Sequence, residues 1–151
     1  MTVKAIPEGY HSITPYLVCK GAAKAIEYYT KVFGAQETMR MPGPEGRIMH
    51  AEIKVGDSTV MLSDENPERG AVAPSGKGRS QSLMLYTENV DTVFKRAIDF
   101  GAKSIQEPTD MFWGDRMGNL EDPFGHQWAI AMHKEDVSPD EMEKRMQAIG
   151  T

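Results

Sequence analysis

The chain has almost no cysteine. A single residue, Cys19, among 151 cannot close an internal disulfide and has no second thiol with which to share a metal, so disulfide staples and cysteine-based zinc sites are both excluded. Long apolar runs are missing as well. The opening MTVKAIPEGYHS lacks the apolar core of a signal peptide, and no stretch approaches the about 20 apolar residues of a membrane-spanning helix. Concentrated positive charge is equally scarce: 17 basic residues face 22 acidic ones, the formal charge is −5, and no run of Lys and Arg exceeds two. These absences predict a cytoplasmic protein with no membrane and no nucleic acid among its partners. An apolar content of 40% over this length fills one ordinary core, so a single domain spanning 1–151 is expected.

What is present is a weak internal repeat. Phe33-Gly34-Ala35 recurs as Phe100-Gly101-Ala102, and each triplet closes a helical pattern, with Ile26, Tyr29 and Phe33 in the first half and Val90, Val93, Ala97 and Ile98 in the second. The glycine stands where a helix C-terminal cap belongs. A short β-rich run precedes each helix, Ser12–Cys19 and Ser82–Thr87. A hairpin-forming stretch follows each: Ile48–Val55 and Ser58–Ser63 around Gly56-Asp57, then Asn119–Glu121 and Gln127–Met132 around Asp122-Pro123-Phe124-Gly125. The order β, α, β, β, β therefore occurs twice, in modules at about 10–66 and 80–134. Residues 67–79, rich in Gly and Pro, form the linker.

A last helix is signalled over 138–149. Ser138 is its N-cap, Pro139 opens it and Glu141 completes a capping box. Met142, Met146 and Ile149 fall on one face, which predicts docking on the rest of the chain or on a partner subunit.

Several segments then resemble a known family. Ile13-Thr14-Pro15-Tyr16-Leu17, Ala25-Ile26-Glu27-Tyr28-Tyr29 ending in Phe33-Gly34-Ala35, His50-Ala51-Glu52-Ile53 with Met61-Leu62-Ser63-Asp64-Glu65, and Phe112-Trp113-Gly114-Asp115-Arg116 with Asp122-Pro123-Phe124-Gly125-His126 are similar in order and spacing to the vicinal-oxygen-chelate (glyoxalase, bleomycin-resistance and dioxygenase) superfamily, in its PhnB-like branch. The resemblance implies an α+β fold: two tandem βαβββ modules with curved mixed sheets around a shared cavity, followed here by the short C-terminal helix. It also implies a homodimer and a small-molecule ligand.

Strand alternation then sorts side chains by face. A two-residue Gly56-Asp57 turn pairs Ile53 with Val60 and Glu52 with Met61, so Ala51, Ile53, Val55, Val60 and Leu62 form a dry face. His50, Glu52, Thr59, Met61 and Ser63 look the other way, toward the cavity. In the second module Leu83 and Leu85 go to the helix, while Ser82, Met84 and Tyr86 look inward. Trp128 and Ile130 likewise pack outward and leave Gln127, Ala129 and Ala131 on the concave side.

The resemblance places the family's four metal positions on Thr14, Met61, Ser82 and Ala129. None carries an imidazole, carboxylate or thiolate, so no metal and no other cofactor is expected there. His50 and Glu52, two apart on one strand face, offer a non-standard alternative for a divalent ion, or an acid–base pair. Each also has a structural reading, His50 as a hydrogen-bonded strand-end residue and Glu52 as a salt-bridge partner of Lys54 or Arg47. Phe112 and Trp113 close the cavity with Arg116 as a cationic clamp, or else Trp113 fills a gap and Arg116 pairs with Asp115 or Asp122. Tyr16, Met61, Ser82, Met84, Tyr86 and Gln127 complete the expected ligand contacts. His126, His11 and His133 carry no functional signal. Two functions follow. One is a metal-free small-molecule binder of the bleomycin-resistance kind, sequestering an aromatic or charged compound in a dimeric cleft. The other is a lyase, isomerase or hydrolase working through His50 and Glu52, with or without an ion.

Overall fold

The computed structural model describes residues 2–76 and 78–150, so Lys77, inside the expected linker, and the two terminal residues lie outside the described residues. The chain divides into two compact units, 1–76 and 77–151, each holding one βαβββ module. Among the described residues no helix is long and apolar enough to cross a membrane.

In the first unit, β1 (Tyr16–Cys19) leads into α1 (Ala22–Phe33), followed by β2 (Gln36–Pro42), β3 (Ile48–Val55) and β4 (Ser58–Asp64). The sheet order is β1-β4-β3-β2, with β1 parallel to β4 and the other neighbours antiparallel. The second unit repeats this pattern with β5 (Leu83–Tyr86), α2 (Val90–Asp99), β6 (Lys103–Asp110), β7 (Asp115–Glu121) and β8 (Gln127–His133), in the order β5-β8-β7-β6. The α+β class and the tandem modules agree with the sequence reading.

The hairpin register also agrees: Glu52 lies opposite Met61 and Ile53 opposite Val60. Ala51, Ile53, Val55, Val60 and Leu62 are all buried, against the α1 face that carries Ala25, Ile26, Tyr29 and Val32. Tyr29 stacks on Phe33 at 5.9 Å between ring centroids. Each fully buried Ile, Leu or aromatic side chain contributes about 1.5–3 kcal/mol of transfer free energy, which makes this face the first unit's main source of stability. α1 ends at Gly34, whose φ of 68° is reached by glycine without strain. Its N-terminus is capped from a distance, because Asp64 Oδ1 accepts the Gly21 and Ala22 N–H groups at 3.0 and 2.8 Å and places a carboxylate at the positive end of the helix dipole.

In the second unit Val90, Phe94 and Ala97 of α2 are buried, as are Leu120, Trp128 and Ile130 of the sheet. The Phe94 ring lies directly over Gly118, where an added Cβ would sit 2.8 Å from it. That close approach explains a glycine in the middle of a strand.

Several boundaries differ from those expected. β1 starts at Tyr16 rather than Ser12: the Pro15 carbonyl accepts the Met61 N–H at 2.9 Å, but proline has no N–H to return, so the ladder cannot run back through it. β5 is likewise shortened to Leu83–Tyr86, leaving Ser82 outside the strand. β7 starts at Asp115 rather than Asn119 and so takes in Asp115 and Arg116. The helix α3 (Pro139–Ile149) forms as expected, with Ser138 Oγ accepting the Glu141 N–H at 3.2 Å. Its attachment differs. No residue of α3 is buried and Ile149 is 58% exposed, while Arg145 donates to the Phe112 carbonyl at 3.0 Å and to Glu135 at 2.6 Å. Polar contacts from one arginine tie the helix to its own unit, and its methionine face stays largely open.

Candidate functional site

The first unit gathers its ionisable residues on the sheet face opposite α1. Tyr16, Met61 and Glu52 stand side by side on β1, β4 and β3. Glu52 is 6% exposed, and a buried carboxylate is costly unless its oxygens are satisfied. Both are. Tyr10 donates its hydroxyl to Glu52 Oε1, and His50 Nε2 lies 2.9 Å from Oε2. The other imidazole nitrogen, Nδ1, lies 3.0 Å from the Tyr16 hydroxyl. With Nε2–H donating to the carboxylate, a neutral ring accepts the Tyr16 proton at Nδ1. The result is a continuous line, Tyr10–Glu52–His50–Tyr16, that runs from a buried carboxylate to a phenol 48% exposed. The structural alternative for Glu52, a salt bridge to Lys54 or Arg47, is replaced by His50 and Tyr10. Arg47 instead donates to the Glu65 carbonyl.

Such an arrangement can move a proton. The buried carboxylate fixes the orientation of the ring, the ring's Nδ1 faces the phenol's proton, and the phenol oxygen faces solvent, where a ligand can meet it.

In the second unit the expected contacts separate. Met84 and Tyr86 are 50% and 57% exposed on β5, Ser82 is exposed just before the strand, and Gln127 is half-buried at the start of β8. Phe112 and Trp113 meet edge to face at 5.1 Å in a half-buried turn. The guanidinium of Arg116 is held by Asp91 at 2.8 Å and Asp110 at 3.3 Å, not by Asp115 or Asp122. This clamp raises the Arg116 pKa and lowers those of both carboxylates. Arg116 is thus engaged with two carboxylates of its own unit.

Three participants escaped the sequence reading. Tyr10 lies in an irregular N-terminal segment with no periodicity to place it. Asp115 and His133 form a second carboxylate–imidazole pair: Asp115, buried, accepts from Tyr86 at 3.1 Å and lies 2.7 Å from His133 Nδ1, while His133 Nε2 reaches Asp136 at 2.8 Å. Counting outward from the Asp122–Gly125 turn would have found it, since Asp115 stands directly opposite His133. Asp136 and then Asp115 raise the His133 pKa, and the Asp115 bond holds the Tyr86 phenol above its ordinary value. A histidine whose pKa is higher folded than unfolded adds stability that is fully present below the unfolded value of about 6.5 and is lost as pH rises through the folded value. The melting temperature of His133→Gln should therefore fall below wild type at mildly acidic pH and converge with it at alkaline pH. A gap that widens with rising pH would contradict the assignment.

The metal positions implied by the resemblance do not fit an ion. Thr14, Met61, Ser82 and Ala129 supply two hydroxyls, a thioether and a methyl, which cannot replace the hydration of a divalent cation. His50 and Glu52 direct donor atoms at each other. Among the described residues no group of three His, Cys, Asp or Glu side chains converges.

The Glyoxalase/Bleomycin resistance protein/Dioxygenase superfamily model matches residues 9–130. The chain belongs to this superfamily. Similar members include the uncharacterized protein Mb0911c of Mycobacterium bovis, 36% identical over 143 residues that cover 92% of this chain and 94% of that one. Among solved structures, TioX from Micromonospora sp. ML1 superposes with a TM-score of 0.65 at 26% identity, covering 82% of this chain and 98% of TioX. The PhnB protein of Bacillus cereus gives 0.64 at 21%, covering 81% and 99%, a likeness of fold.

Proposed function

We propose that this superfamily member is a small-molecule-binding protein of the glyoxalase/bleomycin-resistance type that works without the family's metal and takes up an aromatic or charged compound. The observation that carries the reading is the Tyr10–Glu52–His50–Tyr16 line, which ends in an exposed phenol on an open sheet face. Tyr16 offers a ring for stacking and an oxygen for hydrogen bonding, and Met61 beside it adds an adaptable apolar surface. The second unit, taken by itself, carries Met84, Tyr86, Phe112 and Trp113 as exposed or half-buried candidate contacts for a ligand of the same kind. A second reading, acid–base catalysis of a lyase, isomerase or hydrolase reaction, is favoured by the same line, because a carboxylate-backed imidazole is poised to accept the phenol's proton. The homodimer is part of the proposal, and sedimentation at micromolar concentration checks it: a monomer removes the dimeric cleft.

Glu52→Gln keeps the shape and removes the charge that orients His50. Binding or turnover should fall more than tenfold, about 1.4 kcal/mol, and Tyr16→Phe should fall with it. Calorimetric screening of small aromatic compounds against wild type and both variants tests this. Unchanged affinity alongside a lowered melting temperature would make the line structural. A substrate turned over by wild type but only bound by Glu52→Gln selects the enzyme reading.

A further inference from the structure

Most of the chain's arginines with described contacts are neutralised. Arg40 pairs with Glu37, Arg79 with Glu121, Arg116 with Asp91 and Asp110, and Arg145 with Glu135 and Glu141. Arg47 and Arg69 differ: among the described residues neither has a carboxylate partner. Both line one recess of about 380 Å³ in the first unit, together with Tyr16, Met49 and Asn66. The acidic groups nearby are already committed. Asp64, also in the lining, gives its oxygens to the backbone N–H groups of Gly21, Ala22 and Ile48, and Glu65 Oε1 accepts the Ala73 N–H at 2.8 Å. Arg47 donates only to a neutral carbonyl. In a chain of net charge −5, two guanidinium groups that form no ion pair among the described residues share one concavity with a single carboxylate, Asp64, in its lining, an exception to the general electrostatics.

We infer that this recess binds the oxyanion of a small anionic ligand, a carboxylate or a phosphate monoester, held by Arg47 and Arg69 with the ligand's apolar body against Tyr16 and Met49. The guanidinium fork matches both oxyanions and can bind either in two-pronged fashion. Asn66 supplies a further polar group at the same wall. The apolar surface of Met49, 54% exposed, has no other described role. Tyr16 lines the recess and also ends the Tyr10–Glu52–His50–Tyr16 line, so the anion would bring the ligand's body onto the exposed phenol. The inference rests on the small-molecule-binding reading above and narrows its ligand from aromatic or charged to anionic.

Titration calorimetry of the full chain with phenyl phosphate, benzoate, benzyl alcohol and benzylamine tests it. The two anions should bind, with affinity that weakens as salt is added, while the neutral and cationic probes should not. Whichever anion binds more tightly identifies the oxyanion. Arg69→Gln should weaken phenyl phosphate binding by about tenfold and the Arg47→Gln, Arg69→Gln pair by more. Among the described residues the Arg69 side chain has no partner to lose, so its single variant should melt as wild type does, and Arg69→Glu provides the readout if Arg47 variants fold poorly. Benzyl alcohol binding as well as the anions, or undiminished phenyl phosphate binding in Arg69→Glu, overturns the inference. The same probes on Tyr16→Phe and Glu52→Gln separate the two proposals. Anion binding lost with the arginines but untouched by these variants sinks the phenol-centred reading alone, and neutral-ligand binding that needs Tyr16 but not the arginines sinks this one alone.

Discussion

Asp122→Ala should lower the unfolding free energy by roughly 3 kcal/mol or more, one of the largest losses available from a single polar side chain here. Asp122 is 3% exposed. Its Oδ1 accepts the Phe124 and His126 N–H groups at 2.9 and 3.0 Å, and its Oδ2 accepts the Trp128 indole N–H at 2.8 Å. One carboxylate thus closes the β7–β8 turn and fixes the orientation of a buried tryptophan. Removing it strands the buried indole donor out of water, at about 1–3 kcal/mol, and takes the acceptor from two part-buried backbone amides. Urea denaturation checks the size of the effect, and Asp122→Asn orders it: Oδ1 still serves the two backbone amides while the new NH₂ opposes the indole N–H, so its loss should be smaller. Equal stability of the Ala variant and wild type would mean that the turn holds itself.

Gly114→Ala should be comparably severe, about 3 kcal/mol or more, for a backbone reason. Its φ is +104°, and a Cβ there would lie 2.2 Å from the Glu135 carbonyl oxygen and 3.1 Å from Val137 Cγ2. The neighbour cannot give way easily, since the Gly114 carbonyl accepts the N–H groups of Lys134 and Glu135 at 2.9 and 3.1 Å. Gly56 provides the control. Its φ is +59° and an added Cβ meets nothing within 4 Å, so Gly56→Ala should cost only the left-handed backbone penalty of about 1–2 kcal/mol. Similar denaturation midpoints for the two variants would show that conformation, not collision, sets the cost. Because Gly114 adjoins Trp113, the severe variant should also shift tryptophan fluorescence in the native state.

The sites show how far residue pattern reaches. His50 and Glu52 were legible because apolar residues alternate with them on a strand whose partner is fixed by a two-residue turn. The Tyr10 that closes their line was not. Tyr10 comes from 42 positions away, and nothing in its neighbourhood has a period. Arg116 was legible as a cation beside aromatics, but its partners Asp91 and Asp110 arrive from α2 and β6, elements whose approach to β7 no local pattern describes. Asp115 was read only as a candidate partner of Arg116, because Gly118 interrupts the strand pattern that would have set it opposite His133.

The sequence by itself determined the doubled βαβββ order, the Gly56-Asp57 register and the helix ends at Gly34 and Ser138, since each depends on periodicity or turn conformation within a few residues. Tertiary structure alone decided β2 and β6. β2 is exposed at every residue and β6 at nearly every one, interrupted by bulges and Pro108, so neither carries an apolar alternation, and both are strands only because β3 and β7 present unpaired N–H and C=O groups beside them. It also decided which carboxylates were consumed. A side chain's charge is written in the sequence, but whether that charge is paired depends on distances between distant segments, which is why Glu52 became a support for His50 while Arg47 and Arg69 form no ion pair among the described residues.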